Sequence, residues 1–339
     1  MNKSNLIALC RFLPIRFFRI VFLALLFALV SCEQTREKYE TRLFFAMGTI
    51  VEITVSKKNR EKLPEAEKRL IDIANIIRAD CLKISSSPDA VAIDEITYQL
   101  LQREDSYRKI SKNRFNSAVY TISALYGFPE GPFAVPTSDK TEKAKELLFS
   151  QRIDLFEDAV GGGYFAKGNG LKVDLGGFAK GWVVDDTVSY LKSEGVDNFI
   201  VNAGGDLFAG GTKDRDQMWR VGITDPDKKE PFVTSVFLSD KGLATSGIYE
   251  RFFIAEDGRR ISHIFDGTNG EPVNNYKSLS VIADTAELAD AYSTIYFLLS
   301  QGEIAYLCKQ NGTSVFLVTA DGVRLRYCGW EKYEISENR

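Results

Sequence analysis

The chain has 339 residues, 45% hydrophobic and 26% charged, with a net charge of -3. This length suits one large domain or two intimate ones, and no repeat, heptad or low-complexity tract interrupts it. The absence of a basic tract with interleaved aromatics argues against a nucleic-acid partner. A single histidine, His263, argues against a Cys/His zinc centre, so any metal must be held by oxygen.

Lys3, Arg11, Arg16 and Arg19 precede an apolar run from Ile20 to Val30, with small residues before Cys32. This is the pattern of a secretory signal, and the run is too short to span a bilayer as a helix. Leu29-Val-Ser-Cys32 also resembles the bacterial lipobox, in which Cys32 is lipidated and becomes the mature N-terminus. Loss of residues 1–31 removes four positive charges and no acid, moving the net charge from -3 to -7. An acidic body would not hold to anionic lipid by charge, so acylation would be its anchor. Residues 32–42 read as a tether and 43–330 as the folded body. Beyond Cys10 and Cys32, only Cys81, Cys308 and Cys328 remain, and their odd number excludes a fully paired disulfide framework.

Leu43 to Val55 is rich in strand-forming residues around Met47-Gly-Thr49. Leu63 to Lys83 carries Leu70, Ile73, Ala74 and Ile77 at helical spacing. Further helices are predicted over 96–110, 117–126 and 138–148. From Ile153 strands dominate, predicted over 171–173, 199–201, 219–223, 233–238, 251–254, 278–283, 315–319 and 324–327. Helices over 178–191 and 287–299 interrupt them. Asp257-Gly258, Asn311-Gly312 and Asp321-Gly322 read as hairpin turns. Strands that cluster after helices, without strict alternation, predict an α+β fold.

Five stretches could carry chemistry. Leu171-Lys-Val-Asp-Leu-Gly-Gly-Phe-Ala-Lys-Gly181 reads as a strand, a Gly-Gly turn and a helix N-terminus, which is either an anion site or a plain connection. Asn202-Ala-Gly-Gly-Asp206 repeats the strand-then-Gly-Gly pattern, so two such turns could face one ligand. Gly242-Leu-Ala-Thr-Ser-Gly247 offers hydroxyls suited to a phosphate, and equally to a bulge or cap. His263 in Ser262-His-Ile-Phe-Asp266 can serve as a general base or be structural. In Ala289-Asp-Ala-Tyr-Ser-Thr294, Asp290 and Thr294 fall on one helix face. A carboxylate and a hydroxyl together suit Mg²⁺, although an aspartate near a helix start can merely satisfy amides.

In this order, these stretches, with Met47-Gly-Thr49 and Gly270-Glu-Pro272, resemble the ApbE family of FAD:protein FMN transferases, bacterial flavin-trafficking enzymes. The resemblance spans roughly residues 43 to 320 behind a lipobox. It implies a T-fold-like α+β architecture with antiparallel sheets and packed helices. It also implies Mg²⁺-dependent cleavage of FAD, release of AMP, and transfer of FMN to a threonine of a membrane electron-transfer protein. By the same resemblance Met47, Arg114, Phe115, Asn116, Asp174, Lys180 and Phe265 contact FAD. Asp290 and Thr294 hold the metal, helped by Ser293 and the Gly177 carbonyl, and His263 is the base. An FAD pyrophosphatase releasing free FMN, and a non-catalytic FAD-binding lipoprotein, are the alternatives.

Two departures from the family bear on FAD. Ala79-Asp-Cys-Leu-Lys-Ile-Ser85 stands where relatives have an aromatic S-x-Y segment. Asn113-Arg-Phe-Asn116 replaces G-A-F-D and loses a carboxylate. The expected location is the bacterial cell envelope, with the chain lipid-anchored.

Overall fold

The computed structural model describes residues 38–158, 161–213 and 217–335. Strands β1 (Tyr39–Ala46) and β2 (Thr49–Ser56) pair along their full length through a two-residue turn. Met47 and Gly48 both have positive φ, 52° and 72°, the conformation that matches strand twist in tight hairpins. The chain then enters α1 (Leu63–Ser86), which buries Leu63, Ala66, Leu70, Ile73, Ile77 and Ile84 along one stripe. β3 (Val91–Ile93) and α2 (Glu95–Ile110) follow, with Asp94 capping α2 by accepting from the Ile96 amide. Residues 117–126 form a tight helical segment around α3 (Tyr120–Ser123), and α4 spans Ser138–Ser150. β4 (Asp154–Glu157) and β5 (Tyr164–Lys167) join β3 in a small sheet.

The second half begins with α5 (Ala179–Ser193), β6 (Phe199–Ala203) and β7 (Asp206–Gly210). β8 (Trp219–Thr224) and β9 (Phe232–Leu238) form a separate hairpin. β10 (Lys241–Gly247) is followed by the short pairs β11 (Phe252–Ile254) with β12 (Arg260–Ser262), and β13 (Phe265–Asp266) with β14 (Glu271–Pro272). β15 (Tyr276–Ala283), α6 (Ala286–Phe297), α7 (Gln301–Gln310), β16 (Ser314–Thr319) and β17 (Arg324–Tyr327) complete the body.

One antiparallel sheet organises these pieces, in the order β1-β2-β6-β7-β10-β15-β16-β17. Alternate residues feed different cores, as the two-residue strand period requires. Phe208, Val281, Val315 and Leu317 enter the core beneath α1, α5 and α6. Leu207, Leu243, Ile282, Phe316 and Val318 pack outward with Trp219 and Val236 of the β8–β9 hairpin. That hairpin leaves the β1–β2 end of the outer face open, where Leu43, Phe45 and Ile50 are exposed. A third cluster joins Ile122, Tyr126, Phe128, Leu148 and Phe265 beside the sheet.

The α+β architecture with antiparallel sheets and packed helices is the one expected, but some elements differ. Residues 171–175 are not a strand. They keep the alternation, with Leu171, Val173 and Leu175 buried, but their amides bond outside any sheet. Lys172 N–H donates to Thr121 Oγ1 (2.9 Å), Val173 N–H to Ser85 Oγ (3.0 Å) and Asp174 N–H to the Ser117 carbonyl (3.2 Å). Asn311-Gly312 ends α7 instead of turning a hairpin. Gly242–Gly247, read as hydroxyls suited to a phosphate, a bulge or a cap, lies within β10. β1 begins at Tyr39, inside the stretch read as tether, and the body continues past residue 330 to Ile335. Cys308 and Cys328 form a disulfide, leaving Cys81 free among the described residues. The expected signal and Cys32 lie outside the described residues.

Candidate active site

The sheet gathers its site at one end. The Met47-Gly48 turn, the Gly204-Gly205 turn and the Gly247 end of β10 all fall there, since Val51 pairs with Ala203 and Leu243 with Leu207. α5 starts above this end because Gly181 permits it. A Cβ on Gly181 would lie 2.3 Å from the Ala286 carbonyl oxygen and 2.8 Å from Asp290 Cβ. This close crossing lets the Gly181 amide, an otherwise unpaired donor in the first turn of α5, reach Asp290 Oδ2 at 2.9 Å. Asp185 of α5 returns the bond by accepting from the Ala286 and Glu287 amides at the start of α6.

Around that crossing lies a charged wall. Lys180 Nζ donates to the Gly176 carbonyl (2.9 Å), pairs with Asp206 Oδ2 (2.9 Å), and stands 3.5 Å from Asp290 Oδ2. The two Gly-Gly turns therefore do face one another, joined by this ion pair. Burial works against the Lys180 charge, but Asp206 and Asp290 outweigh it and hold the ammonium above its ordinary range. Asp290 is 2% exposed, and burial and then Asp206 hold its carboxyl well above the usual carboxylate range. Gly181 and Lys180 both reach that carboxylate at Oδ2, and Oδ1 makes no hydrogen bond among the described residues.

Oxygen atoms converge next to it. Thr294 Oγ1 lies 3.3 Å from the Gly177 carbonyl oxygen and 3.3 Å from Ser246 Oγ. Ser293 Oγ is 2.8 Å from Ser246 Oγ and donates to the Asp290 carbonyl. A buried carboxylate with a free oxygen beside hydroxyl and carbonyl oxygens fits a hard divalent cation. Thr294 and Gly177 line the adjoining cleft, with Asp290 and Ser293 behind them.

Beside it is a largely aromatic wall, with the Phe115 ring against Gly177. The cleft, about 170 Å³, is lined there by Phe115, Asn116, Tyr120, Phe128, His263 and Phe265, and at its edge by Asp174 and Arg251. Phe265 packs on Tyr126 with ring centroids 5.1 Å apart, and Phe115 edges against Tyr107 and Phe178. Asp174 Oδ1 accepts from the Gly176 amide (2.6 Å), fixing the turn. Asn116 caps the following segment through the Ala118 amide.

Three expected flavin contacts, Arg114, Met47 and Lys180, are not among the residues lining the cleft. Arg114 is a strut, donating to Asp266 and to the Leu298 carbonyl. Met47 sits in the hairpin turn outside the cleft lining, where Gly48 borders Arg251. Lys180 is likewise absent from the lining, engaged with Asp206.

His263 Nδ1 lies 3.0 Å from the Arg251 carbonyl oxygen. A carbonyl only accepts, so Nδ1 carries the proton and Nε2 keeps its lone pair. Burial, with the positive charges of Arg251 and Lys180, pushes the imidazole down to about 4, so it is neutral at pH 7. Arg251 had no signal in the sequence, because its role is to present a backbone carbonyl and to border a turn about 200 residues earlier.

A sheet carrying this oxygen cluster at one end defines the class. Residues 47–317 match the ApbE family model, and the chain belongs to the ApbE family. The FAD:protein FMN transferase of Treponema pallidum is 28% identical over 320 residues, covering 86% of this chain and 87% of the relative. That of Vibrio cholerae is 29% identical over 247 residues, 71% and 72% of the two chains. That of Salmonella typhimurium is 30% identical over 203 residues, so this chain spans 57% of that relative's length. In structure, the ApbE protein of Thermotoga maritima superposes with a TM-score of 0.77 at 28% identity, covering 88% of this chain and all of that one.

Proposed function

We propose that this chain is an FAD:protein FMN transferase that uses Mg²⁺ and a threonine acceptor. The observation that supports this reading best is one cleft lined by His263, Asp174, Gly177 and Thr294, backed by the buried carboxylate of Asp290. The names of the relatives point to the same activity.

In the reaction, a threonine Oγ bonds to the phosphorus of the FMN half of FAD. The bond from that phosphorus to the bridging oxygen breaks, and the bridging oxygen leaves on AMP. His263 Nε2 takes the hydroxyl proton, since Nδ1 is committed to Arg251, and such general-base help is worth roughly 10²–10⁴-fold. Asp290 and Thr294, with Ser293 and the Gly177 carbonyl, would hold Mg²⁺, which neutralises charge developing on the phosphoryl oxygens. Phe115 and Phe265 exclude water on the flavin side, and Asn116 and Asp174 offer polar groups to FAD. Lys180 acts from behind the turn, and Met47 and Arg114 hold the rim.

The reading extends to the cell envelope, with Cys32 lipidated and the acceptor on a membrane electron-transfer protein. The Cys308–Cys328 disulfide suits an oxidising compartment of that kind.

The test mixes the purified full chain with FAD, with and without Mg²⁺ and a threonine-containing acceptor, and separates flavins and AMP by chromatography. AMP with flavinylated acceptor, formed only with Mg²⁺, is the expected result. AMP with free FMN alone would make the chain a pyrophosphatase. Intact bound FAD would make it a carrier, with the exchange at Asn116 as the first suspect.

A further inference from the structure

The Lys180 ammonium sits next to the carboxylate that a divalent cation needs, and two like charges on one side chain compete. The geometry shows what keeps them apart. Asp206, the first residue of β7 and 5% exposed, holds Nζ at 2.9 Å, against 3.5 Å for Asp290. The Gly176 carbonyl takes a second donor at 2.9 Å. Asp206 is itself fixed in place, because the preceding turn is tied by Asn202 Oδ1 accepting from the Gly205 amide (2.9 Å). Glu250 acts on Lys180 only through space, with no ion-pair contact among the described residues.

We propose that Asp206 is a positioning residue for the metal site. It draws the Lys180 ammonium away from Asp290 and leaves that carboxylate free for a divalent cation. This inference rests on the metal reading above. An ammonium has three donors, and here two are held by Gly176 and Asp206. Without the Asp206 charge, the nearest anion for Nζ is Asp290. The resulting ion pair occupies the carboxylate and sets a positive charge beside the incoming cation. Lys180 is then a competitor restrained by Asp206, instead of a flavin contact.

The test is a double-mutant cycle read by direct Mn²⁺ binding to the full chain without FAD, with the free-ion electron paramagnetic resonance signal as readout. D206N should bind Mn²⁺ roughly 10–100-fold more weakly, as losses in the shell behind metal ligands do. K180M, and K180M with D206N, should both return to within about threefold of the unaltered protein, the tolerance of an uncoupled pair. That rescue is the discriminating result, because a merely structural Asp206 would leave the double variant as weak as D206N. Equal Mn²⁺ affinity in D206N, or a double variant no better than D206N, overturns the inference alone. If D206N does not fold, K180M decides: unchanged or tighter binding supports the proposal, and a tenfold loss overturns it. Absence of Mn²⁺ binding by the unaltered chain would remove the metal reading and this inference together.

Discussion

The two sides of the site are built differently. The charged wall stands on regular elements: Asp290 and Thr294 on α6, Lys180 on α5, Asp206 on β7 and Ser246 on β10. Its groups are locked by helix crossing and by backbone bonds, as with Gly181 on Asp290. The aromatic wall is drawn mostly from irregular chain, with Phe115 and Asn116 before a short helical turn and His263 between two short strands. Chemistry that must place a cation and a phosphorus within tenths of an ångström calls for rigid supports. Recognition of a flat ring system tolerates adjustable ones. Both departures from the family pattern fall outside the charged wall, one of them at Asn116 in the aromatic wall, and the positions proposed above to hold a metal keep the family residues.

This contrast can be broken most sharply at Asp290. Asp290→Ala should abolish AMP release and Mn²⁺ binding while FAD remains bound, which equilibrium dialysis with FAD would check. Full activity would dismantle the charged wall as described. Within the aromatic wall, His263→Ala should slow transfer to threonine by roughly 10²–10⁴-fold with little change in FAD affinity. Normal transfer in stopped assays would move the base elsewhere.

Gly181→Ala probes the rigidity of the charged wall itself. Its methyl would meet the Ala286 carbonyl at 2.3 Å, and overpacking of this kind costs about 1–3 kcal/mol in urea unfolding. Asn116→Asp, on the aromatic side, should change FAD affinity by less than about tenfold, the scale of one ordinary hydrogen bond. A larger effect would show that wall to be as exacting as the charged one.

The smallest effect is a titration. With one histidine, the protein gives a single imidazole signal by nuclear magnetic resonance, and its midpoint should lie at about 4 rather than 6.5. Because the fold favours the neutral ring, this group takes stability away as pH falls from about 6.5 towards 4. A midpoint near 6.5 would mean that His263 is solvated and the aromatic wall open.

Local signals made much of this readable in the sequence. The apolar stripe of α1, the Met47-Gly48 turn and the four-residue spacing of Asp290 and Thr294 each lie within one or two turns of chain. The facing of the two Gly-Gly turns was open to inference from their repetition, but the Lys180–Asp206 pair joining them was not. Residues 171–175 misled because alternation reports burial, and their amide partners Ser85 and Thr121 lie 88 and 51 residues away along the chain. β7 and β10 were hidden by glycines and hydroxyls that read as turn chemistry, though both lie inside the main sheet. The Arg251 carbonyl that orients His263 has no side-chain signature at all. The Cys308–Cys328 bond depends on β17 returning beside α7, a tertiary fact.

The segment that carries Asp174 has a dynamic consequence. Its amides are tied to hydroxyls of α1 and of the 117–126 segment, outside the ladder that links β1 to β17. A ladder opens cooperatively, whereas a bond to a serine or threonine is released by rotation of one side chain. Amide hydrogens of Lys172 and Val173 should therefore exchange with solvent through small local openings, on a timescale separate from that of the sheet. The edge of the cleft at Asp174 can loosen and close again while the elements that hold Asp290 stay folded.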